Sequence, residues 1–203
     1  DLYIINRRDC NTPIADTTQA LHDVVKSGKA RYIGASAMFA WQFAKAQSVA
    51  EKNGLTKFVS MQNHLNLLYR EEEREMLPLC TDQKIAVTPY SPLASGRLTR
   101  DWSATTKRFE TDQMAKHKYD TTEAQDRVIV ERVAAIAEKY GVERVQVALS
   151  WLLQKDQVVA PIIGATKESH LTSAISALDF KLSAEDILSL EEPYIPHHIM
   201  GHN

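Results

Sequence analysis

VVAPIIGATKESH (158–170) is one of two segments from which the fold of this chain is predicted. The other is VTPYSPLASGRL (87–98). Each begins with an apolar run typical of a buried parallel strand and ends in small, polar and basic residues. A parallel strand of this kind delivers its loop to an anionic ligand at the carboxyl end of the sheet. Two such loops predict a cofactor that carries phosphate.

The alternation of strands and helices extends through the rest of the chain. Further strands are predicted at LYII (2–5), ARYIGAS (30–36), FVSMQ (58–62) and IAVTPYS (85–91). Helical spacing and capping residues predict helices at 16–26, 40–53, 71–83, 122–140, 145–154, 168–178 and 183–190. The stretch from Ser95 to Asp120 has neither period, so it is predicted to be a long loop of weak order. Five strands that alternate with helices predict one parallel sheet.

Two architectures fit this alternation, a doubly wound sheet and part of a (β/α)8 barrel. The chain contains neither GxGxxG nor GxxxxGK[ST], so the usual nucleotide fingerprints do not support the doubly wound sheet. We therefore favour a piece of a barrel, in which sites form at the carboxyl ends of the strands. The polar or small residues at these predicted ends are Asn6, Arg7, Ser36, Gln62, Asn63, Tyr90, Ser91, Gly164 and Thr166.

Composition narrows the class of ligand. The 203 residues carry a formal net charge of -2, and Lys and Arg are scattered, so nothing favours nucleic acid or an acidic membrane surface. No apolar run approaches the roughly 20 residues of a membrane helix. Cys10 and Cys80 are isolated, which predicts reduced thiols in a cytoplasm. We assign no metal, because His197, His198 and His202 lack acidic or thiol neighbours in the tail. A small-molecule substrate is expected.

Several segments, in order along nearly the whole chain, resemble the aldo-keto reductases. They are DLYIINRRDCNTPIADT, GKARYIGAS, FVSMQNHLNLL, PYSPLASGRL and PIIGATKESHL. The resemblance is to the branch with aryl-alcohol dehydrogenase-like enzymes and potassium-channel beta subunits. It implies a (β/α)8 TIM barrel that binds NADP(H) without a Rossmann domain. Residues 1–203 would form a single domain, a partial barrel of strands four to eight, and we expect an N-terminal part to be missing before Asp1.

The resemblance also implies a role for each strand end. Ser36 and Gln62 would hold the nicotinamide carboxamide, and Tyr90 would stack on the nicotinamide ring. Around the pyrophosphate we expect Ser91, Pro92, Leu93, Ala94, Gly96 and Arg97, with Arg100 and Arg108 as further cations. Around the adenosine 2′-phosphate, beside a helix N-terminus, we expect Gly164, Thr166, Lys167 and His170. A site for the 2′-phosphate favours NADP(H) over NAD(H).

The catalytic pattern departs from the family. The family uses Asp, Tyr, Lys and His, of which the first three belong to segments upstream of Asp1 and the fourth is replaced by Asn6. An asparagine can still donate a hydrogen bond to a carbonyl, and the channel beta subunits show the same Asn-Arg pair. Ala37 lacks the side chain that often touches the cofactor amide in relatives.

Three interpretations remain open. The chain is the C-terminal portion of an NADP(H)-dependent reductase of aldehydes or ketones, inactive as it stands, or a catalytically dead NADP(H)-binding sensor or partner subunit, or a remnant without ligand. The apolar edges of the first and last predicted strands also suggest pairing with a second copy, a homo-oligomer. The identity of the carbonyl substrate does not follow from the residues.

Overall fold

A computed structural model describes residues 1–102 and 113–201 of the chain. Arg108, expected near the pyrophosphate, lies outside the described residues. Within them, four parallel strands form one sheet in chain order: β1 (Leu2–Ile4), β2 (Tyr32–Ser36), β3 (Ser60–Gln62) and β4 (Ala86–Val87). The predicted fifth strand runs beside β4 only as isolated parallel bridges, Val87 to Val158 and Tyr90 to Ile162. Pro89 and Pro161 have no N–H to donate, which interrupts the ladder there.

The described helices follow the predicted alternation, with two corrections. They are α1 (Ile14–Lys26), α2 (Ala40–Lys52), α3 (Met76–Asp82), α4 (Gln113–Tyr119), α5 (Glu123–Tyr140), α6 (Arg144–Leu153), α7 (Glu168–Ile175) and α8 (Ala184–Glu191). The helix predicted from Glu71 begins only at Met76, because Pro78 lacks an N–H and fits only the first turn. The loop predicted up to Asp120 contains α4, whose last residue, Tyr119, is buried in the core.

Strand order places the described helices that connect the strands on one side of the sheet. Each crossover moves to the next strand in the same direction, and right-handed crossovers then lie on the same face. On this face Ile33, Ala35, Met61 and Val87 have no exposed area and pack in the core with the helices. Parallel strands in chain order with helices on one face form part of a barrel, whereas a doubly wound sheet has helices on both faces.

The opposite face of the sheet is small and polar. A Cβ added to Gly34 would lie 2.3 Å from Ser60 Oγ and 3.0 Å from Ile4 Cγ1, so these three positions share that face. The side chains of Ser36 and Gln62 lie on the same face as those of Ile4 and Ser60, because side chains alternate along a strand. Near the carboxyl ends of β2 and β3 this face therefore carries hydroxyl and amide groups, with Ile4 of β1 beside them.

Helices α5 and α8 are joined through one carboxylate. Asp186 accepts hydrogen bonds from Lys139 Nζ at 2.8 Å and from Tyr140 OH at 2.6 Å, and its N–H donates to the capping Ser183 Oγ at 3.1 Å. Burial opposes ionisation of this carboxyl, but the hydrogen bonds from Lys139, Ser183 and Tyr140 outweigh it and hold its pKa well below 3.8. The ionised carboxylate thus fastens the C-terminal helix to the rest of the core.

In the part of the chain that the structure describes, no further strand pairs with either edge of the sheet, and both edges expose apolar side chains. Tyr3 on β1 is 52% exposed, and Val159 beside β4 is 59% exposed. Over residues 1–102 and 113–201, no helix combines the length and the apolar character needed to cross a bilayer.

Candidate functional site

Polar side chains follow three neighbouring strands at one edge of the sheet. Ser36, at the end of β2, pairs in register with Gln62, at the end of β3. Ile4 pairs with Gly34, so Asn6, two residues further along, comes level with Ser36. The structure therefore brings Asn6, Ser36 and Gln62 together at the carboxyl edge, on the small and polar face.

Tyr90 continues this row beyond β4. A parallel bridge joins it to His64, and the two rings stack with centroids 5.2 Å apart and planes inclined by 11°. The Lys118 ammonium lies 4.9 Å from the centre of the Tyr90 ring. Burial raises the pKa of the Tyr90 hydroxyl, an effect that the charge of Glu72 reinforces. Tyr90 is thus a neutral aromatic surface level with His64, two residues beyond Gln62.

The loop after Tyr90 has an unusual backbone. Positive φ angles occur at Ser91 (53°), Ala94 (48°), Ser95 (56°) and Gly96 (89°), and the left-handed region costs a residue with a Cβ roughly 1–2 kcal/mol. A Cβ on Gly96 would meet only Thr99 Oγ1, at 3.8 Å, so the glycine serves the backbone angle rather than close packing. Such turns direct backbone N–H groups towards anions. Pro92 and Leu93 complete the same loop.

Arg97 has a partner of its own. The side chain is buried, pairs with the Asp120 carboxylate, and holds its guanidinium 5.1 Å above the Tyr119 ring. A phosphate at this loop would share Arg97 with Asp120. Arg100, three residues further along the chain, is half-buried. The predicted contacts of both arginines with a pyrophosphate stay predictions.

The segment from Gly164 to His170 adjoins this loop. Tyr90 bridges Ile162, so Gly164 follows alongside the residues after Tyr90. Thr166, Lys167 and His170 are all exposed, and Thr166 N–H donates to His170 Nδ1 at 3.4 Å. Lys167 is the N-cap of α7, whose N-terminus attracts anions, while Glu168 in the first turn opposes them. The lysine ammonium therefore has to supply the net attraction for a phosphate.

Behind Tyr90 lies a buried polar network that the sequence pattern does not single out. His64 Nε2 is 2.8 Å from Tyr119 OH, and Asn66 Nδ2 donates to Tyr119 OH at 3.1 Å and to the Ser91 carbonyl at 2.9 Å. One sequence signal could have identified His64, since it lies two residues beyond Gln62 and strand alternation places both on the same face. No sequence signal joins His64 to Tyr119, because the two are 55 positions apart.

Comparison with known proteins finds one family and several relatives that match nearly the whole chain. Residues 1–195 match the aldo/keto reductase family. The chain is 44% identical over 198 residues to versiconal hemiacetal acetate reductase of Aspergillus parasiticus. The aligned region covers 97% of the chain and 57% of that protein. It is 45% identical over 203 residues to a Schizosaccharomyces pombe protein named after aryl-alcohol dehydrogenases, covering 99% of the chain and 57% of that protein.

A solved structure shows the same fold. A thermostable aldo-keto reductase in complex with the inhibitor epalrestat superposes with a TM-score of 0.72 at 26% identity, over 95% of this chain and 59% of the other. The chain thus spans somewhat more than half the length of these proteins. The predicted barrel architecture is confirmed, with the described sheet as one part of a (β/α)8 barrel. This chain belongs to the aldo/keto reductase family.

Proposed function

We propose that this protein is an NADP(H)-dependent oxidoreductase that reduces aldehydes or ketones to alcohols, and that residues 1–203 carry its cofactor site. The observation behind the proposal is the row of Asn6, Ser36 and Gln62 beside the Tyr90 ring, next to two loops suited to phosphate. Two relatives are named as a reductase and after the aryl-alcohol dehydrogenases, and these names support the substrate class.

The side chains at the strand ends fit a nicotinamide. A carboxamide has one acceptor oxygen and two N–H donors, and the Ser36 hydroxyl and Gln62 amide can each donate and accept. Their pairing in register holds both groups at a fixed separation along the sheet edge. NADPH, when bound, would supply a hydride to the carbonyl carbon. Tyr90 would then set the plane of the nicotinamide ring, and the two side chains would set which face of that ring meets the substrate.

The phosphates would be held by the neighbouring loops. The Ala94 and Gly96 N–H groups already donate to the Ser91 and Leu93 carbonyls, so the other N–H groups of residues 91–96 would approach the pyrophosphate. The Arg97 guanidinium would share its charge between Asp120 and a phosphate. Lys167 at the start of α7 would recognise the 2′-phosphate. This last contact is the reason to propose NADP(H) rather than NAD(H).

Asn6 would act on the substrate. Its amide N–H can donate a hydrogen bond to a carbonyl oxygen and stabilise charge that develops there. Hydride transfer also requires a proton for that oxygen, and an amide does not release one at neutral pH. We therefore expect the 203-residue chain by itself to bind the cofactor without reducing carbonyls.

The proposed location is a reducing cytoplasm, which suits the two free cysteines, Cys10 exposed and Cys80 buried.

The second candidate is a cofactor-binding sensor or partner subunit without turnover. Asn6 favours it, because a neutral amide at this position binds a carbonyl without exchanging protons. Both candidates predict cofactor binding without turnover by residues 1–203 alone, so NADPH consumption with a panel of aryl aldehydes has to be measured on the whole natural gene product. Consumption supports the reductase, and cofactor binding without consumption supports the sensor or partner subunit.

A titration of the 203-residue chain with NADPH, followed by tryptophan fluorescence, tests the cofactor site. We expect saturable binding of NADPH and weaker binding of NADH. Gln62→Leu should weaken binding of both, because the two cofactors share the nicotinamide, and should leave adenosine 2′,5′-bisphosphate unaffected. Gln19→Leu, on the exposed face of α1, is the matched control. A chain that binds neither cofactor, or both equally, contradicts the proposal of an NADP(H) site.

We further propose a second copy of the chain as partner of the open sheet edges. Both edges are apolar, with Tyr3 and Val159 more than half exposed, and open strands pair readily. Light scattering after gel filtration should show a dimer that Val159→Lys disrupts. A monomer at all concentrations rules out this partner.

A further inference from the structure

We infer that Tyr119, at the end of α4, is a positioning residue that holds the nicotinamide-stacking Tyr90 ring in place through His64. This inference rests on the proposed NADP(H) site. Tyr119 does not need to touch the cofactor for this role. It would determine where the aromatic surface lies and how firmly it is held.

Tyr90 is the outer member of a stack of three rings. The His64 ring lies between two tyrosines, with its centroid 4.2 Å from that of Tyr69 at 13° and 5.2 Å from that of Tyr90 at 11°. His64 is 1% exposed and Tyr69 also 1%, so both inner rings are enclosed by protein. The outer ring can therefore be displaced inward only if His64 moves.

Hydrogen bonds hold His64 against such movement. Tyr119 OH lies 2.8 Å from His64 Nε2 and accepts from Asn66 Nδ2 at 3.1 Å. If the Asn66 amide donates to the Tyr119 oxygen, the Tyr119 hydroxyl is free to donate to Nε2 of a neutral imidazole. Burial raises the pKa of the Tyr119 hydroxyl, so it stays protonated and can serve as this donor. The hydroxyl is the link between α4 and the ring stack.

The same network reaches the loop after Tyr90. Asn66 Nδ2 also donates to the Ser91 carbonyl at 2.9 Å, at a residue whose φ of 53° is left-handed. The Tyr119 ring lies beneath the Arg97 guanidinium, which pairs with the adjacent Asp120. The end of α4 therefore contacts both parts of the proposed site, the stacking ring and the phosphate loop.

A positioning role and a purely structural role of Tyr119 predict different effects on ligand binding. Loss of the Tyr119 hydroxyl should loosen the surface that a nicotinamide contacts, whereas the 2′-phosphate contacts at Lys167 are on another loop. NADPH carries a nicotinamide, whereas adenosine 2′,5′-bisphosphate carries only the adenosine with its 2′- and 5′-phosphates. Tyr119→Phe keeps the ring beneath Arg97 and the bond from Asn66 to the Ser91 carbonyl, so the phosphate loop should be little affected. A general loss of folded protein would weaken both ligands to the same degree.

The test compares Tyr119→Phe with Tyr140→Phe in the 203-residue chain. Each variant loses one hydrogen-bonded hydroxyl, but Tyr140 bonds Asp186 on α8, and its described contacts lie away from the ring stack. We expect Tyr119→Phe to raise the Kd of NADPH about fivefold to tenfold, the effect of one buried hydrogen bond, and the Kd of the bisphosphate less than about twofold. Tyr140→Phe should change neither Kd by more than about twofold. An unchanged NADPH affinity in Tyr119→Phe, or an equal loss for both ligands, overturns the inference.

A measurement without ligand keeps the inference separate from the proposed function. In protein labelled with 3-fluorotyrosine, the Tyr90 resonance is assigned by its loss in Tyr90→Phe. If the wild type binds neither ligand, the proposed cofactor site is wrong and this spectrum decides the inference alone. A shifted or broadened Tyr90 signal in Tyr119→Phe, but not in Tyr140→Phe, supports positioning. An unchanged signal in both variants overturns it.

Discussion

Replacement of Gly34 by alanine tests the close approach of β2 and β3 on which the site depends. An added Cβ would lie 2.3 Å from Ser60 Oγ, 3.0 Å from Ile4 Cγ1 and 3.5 Å from the Ser60 carbonyl oxygen. The first distance is far below van der Waals contact, so Ser60 has to rotate or the strands have to separate. Overpacking of this kind destabilises a folded protein by about 1–3 kcal/mol. We expect Gly34→Ala to reduce the free energy of unfolding by that amount.

Ser60→Ala supplies the matched rescue. The Ser60 hydroxyl is buried without a hydrogen-bond partner among the described residues, so its removal alone should be close to neutral or mildly stabilising. In the double variant the contact at 2.3 Å no longer exists, and the approach of 3.0 Å to Ile4 Cγ1 is then the shorter of the two that remain. The two substitutions should therefore be coupled by about 1 kcal/mol or more, the range found for residues in contact.

Urea denaturation followed by fluorescence of Trp41, Trp102 and Trp151 measures these free energies. The midpoint should fall in Gly34→Ala and largely recover in the double variant, with the same slope in each case. NADPH affinity should follow the same order, because Ser36 lies two residues beyond Gly34 on β2. The reasoning is refuted if Gly34→Ala changes stability by less than about 0.5 kcal/mol, or if Ser60→Ala gives no rescue.

Three further predictions concern single positions. Lys167→Ala should weaken NADPH binding about fivefold to tenfold, by loss of a charge-assisted contact, without changing NADH binding, and exposed Lys181→Ala is its control in the same titration. Ala37→Asn should tighten NADPH binding, because Asn tolerates the φ of 46° and adds an amide beside Gln62. Ala37→Gly is its control, because it removes only the strain of the left-handed backbone and adds no amide. The carboxylate of Asp186 has a lowered pKa, so its stabilisation is complete above the ordinary value of 3.8 and is lost as the pH falls below it. Asp186→Asn should remove that acid dependence from urea midpoints measured between about pH 2 and pH 5.

Each of these predictions has a result that contradicts it. Equal losses of NADPH and NADH in Lys167→Ala would show that the lysine does not recognise the 2′-phosphate. Tighter binding in Ala37→Gly would assign the gain to the backbone rather than to the amide. An unaltered pH profile in Asp186→Asn would mean that other carboxylates dominate the acid response.

Local patterns in the sequence account for much of the fold. Hydrophobic periodicity and capping residues depend on neighbours within a few positions, so helix ends such as Gly141, with a φ of 65°, were accessible without tertiary structure. The late start of α3 was accessible in principle too, because Pro78 is visible in the sequence. The helix α4 was not, since its short stretch of polar residues has no clear period.

The order of parallel strands and helices, the family, and the residues at the strand ends could be predicted from the sequence, because each of these depends on local pattern or on ordered motifs. The distant side chains that meet could be identified only in the folded chain. His64 stacks behind Tyr90 and reaches Tyr119, and Arg97 pairs with Asp120, through contacts between segments far apart along the chain. Such pairings follow from how the end of α4 packs against the sheet, and packing between distant elements leaves no periodic trace in the residues that make it.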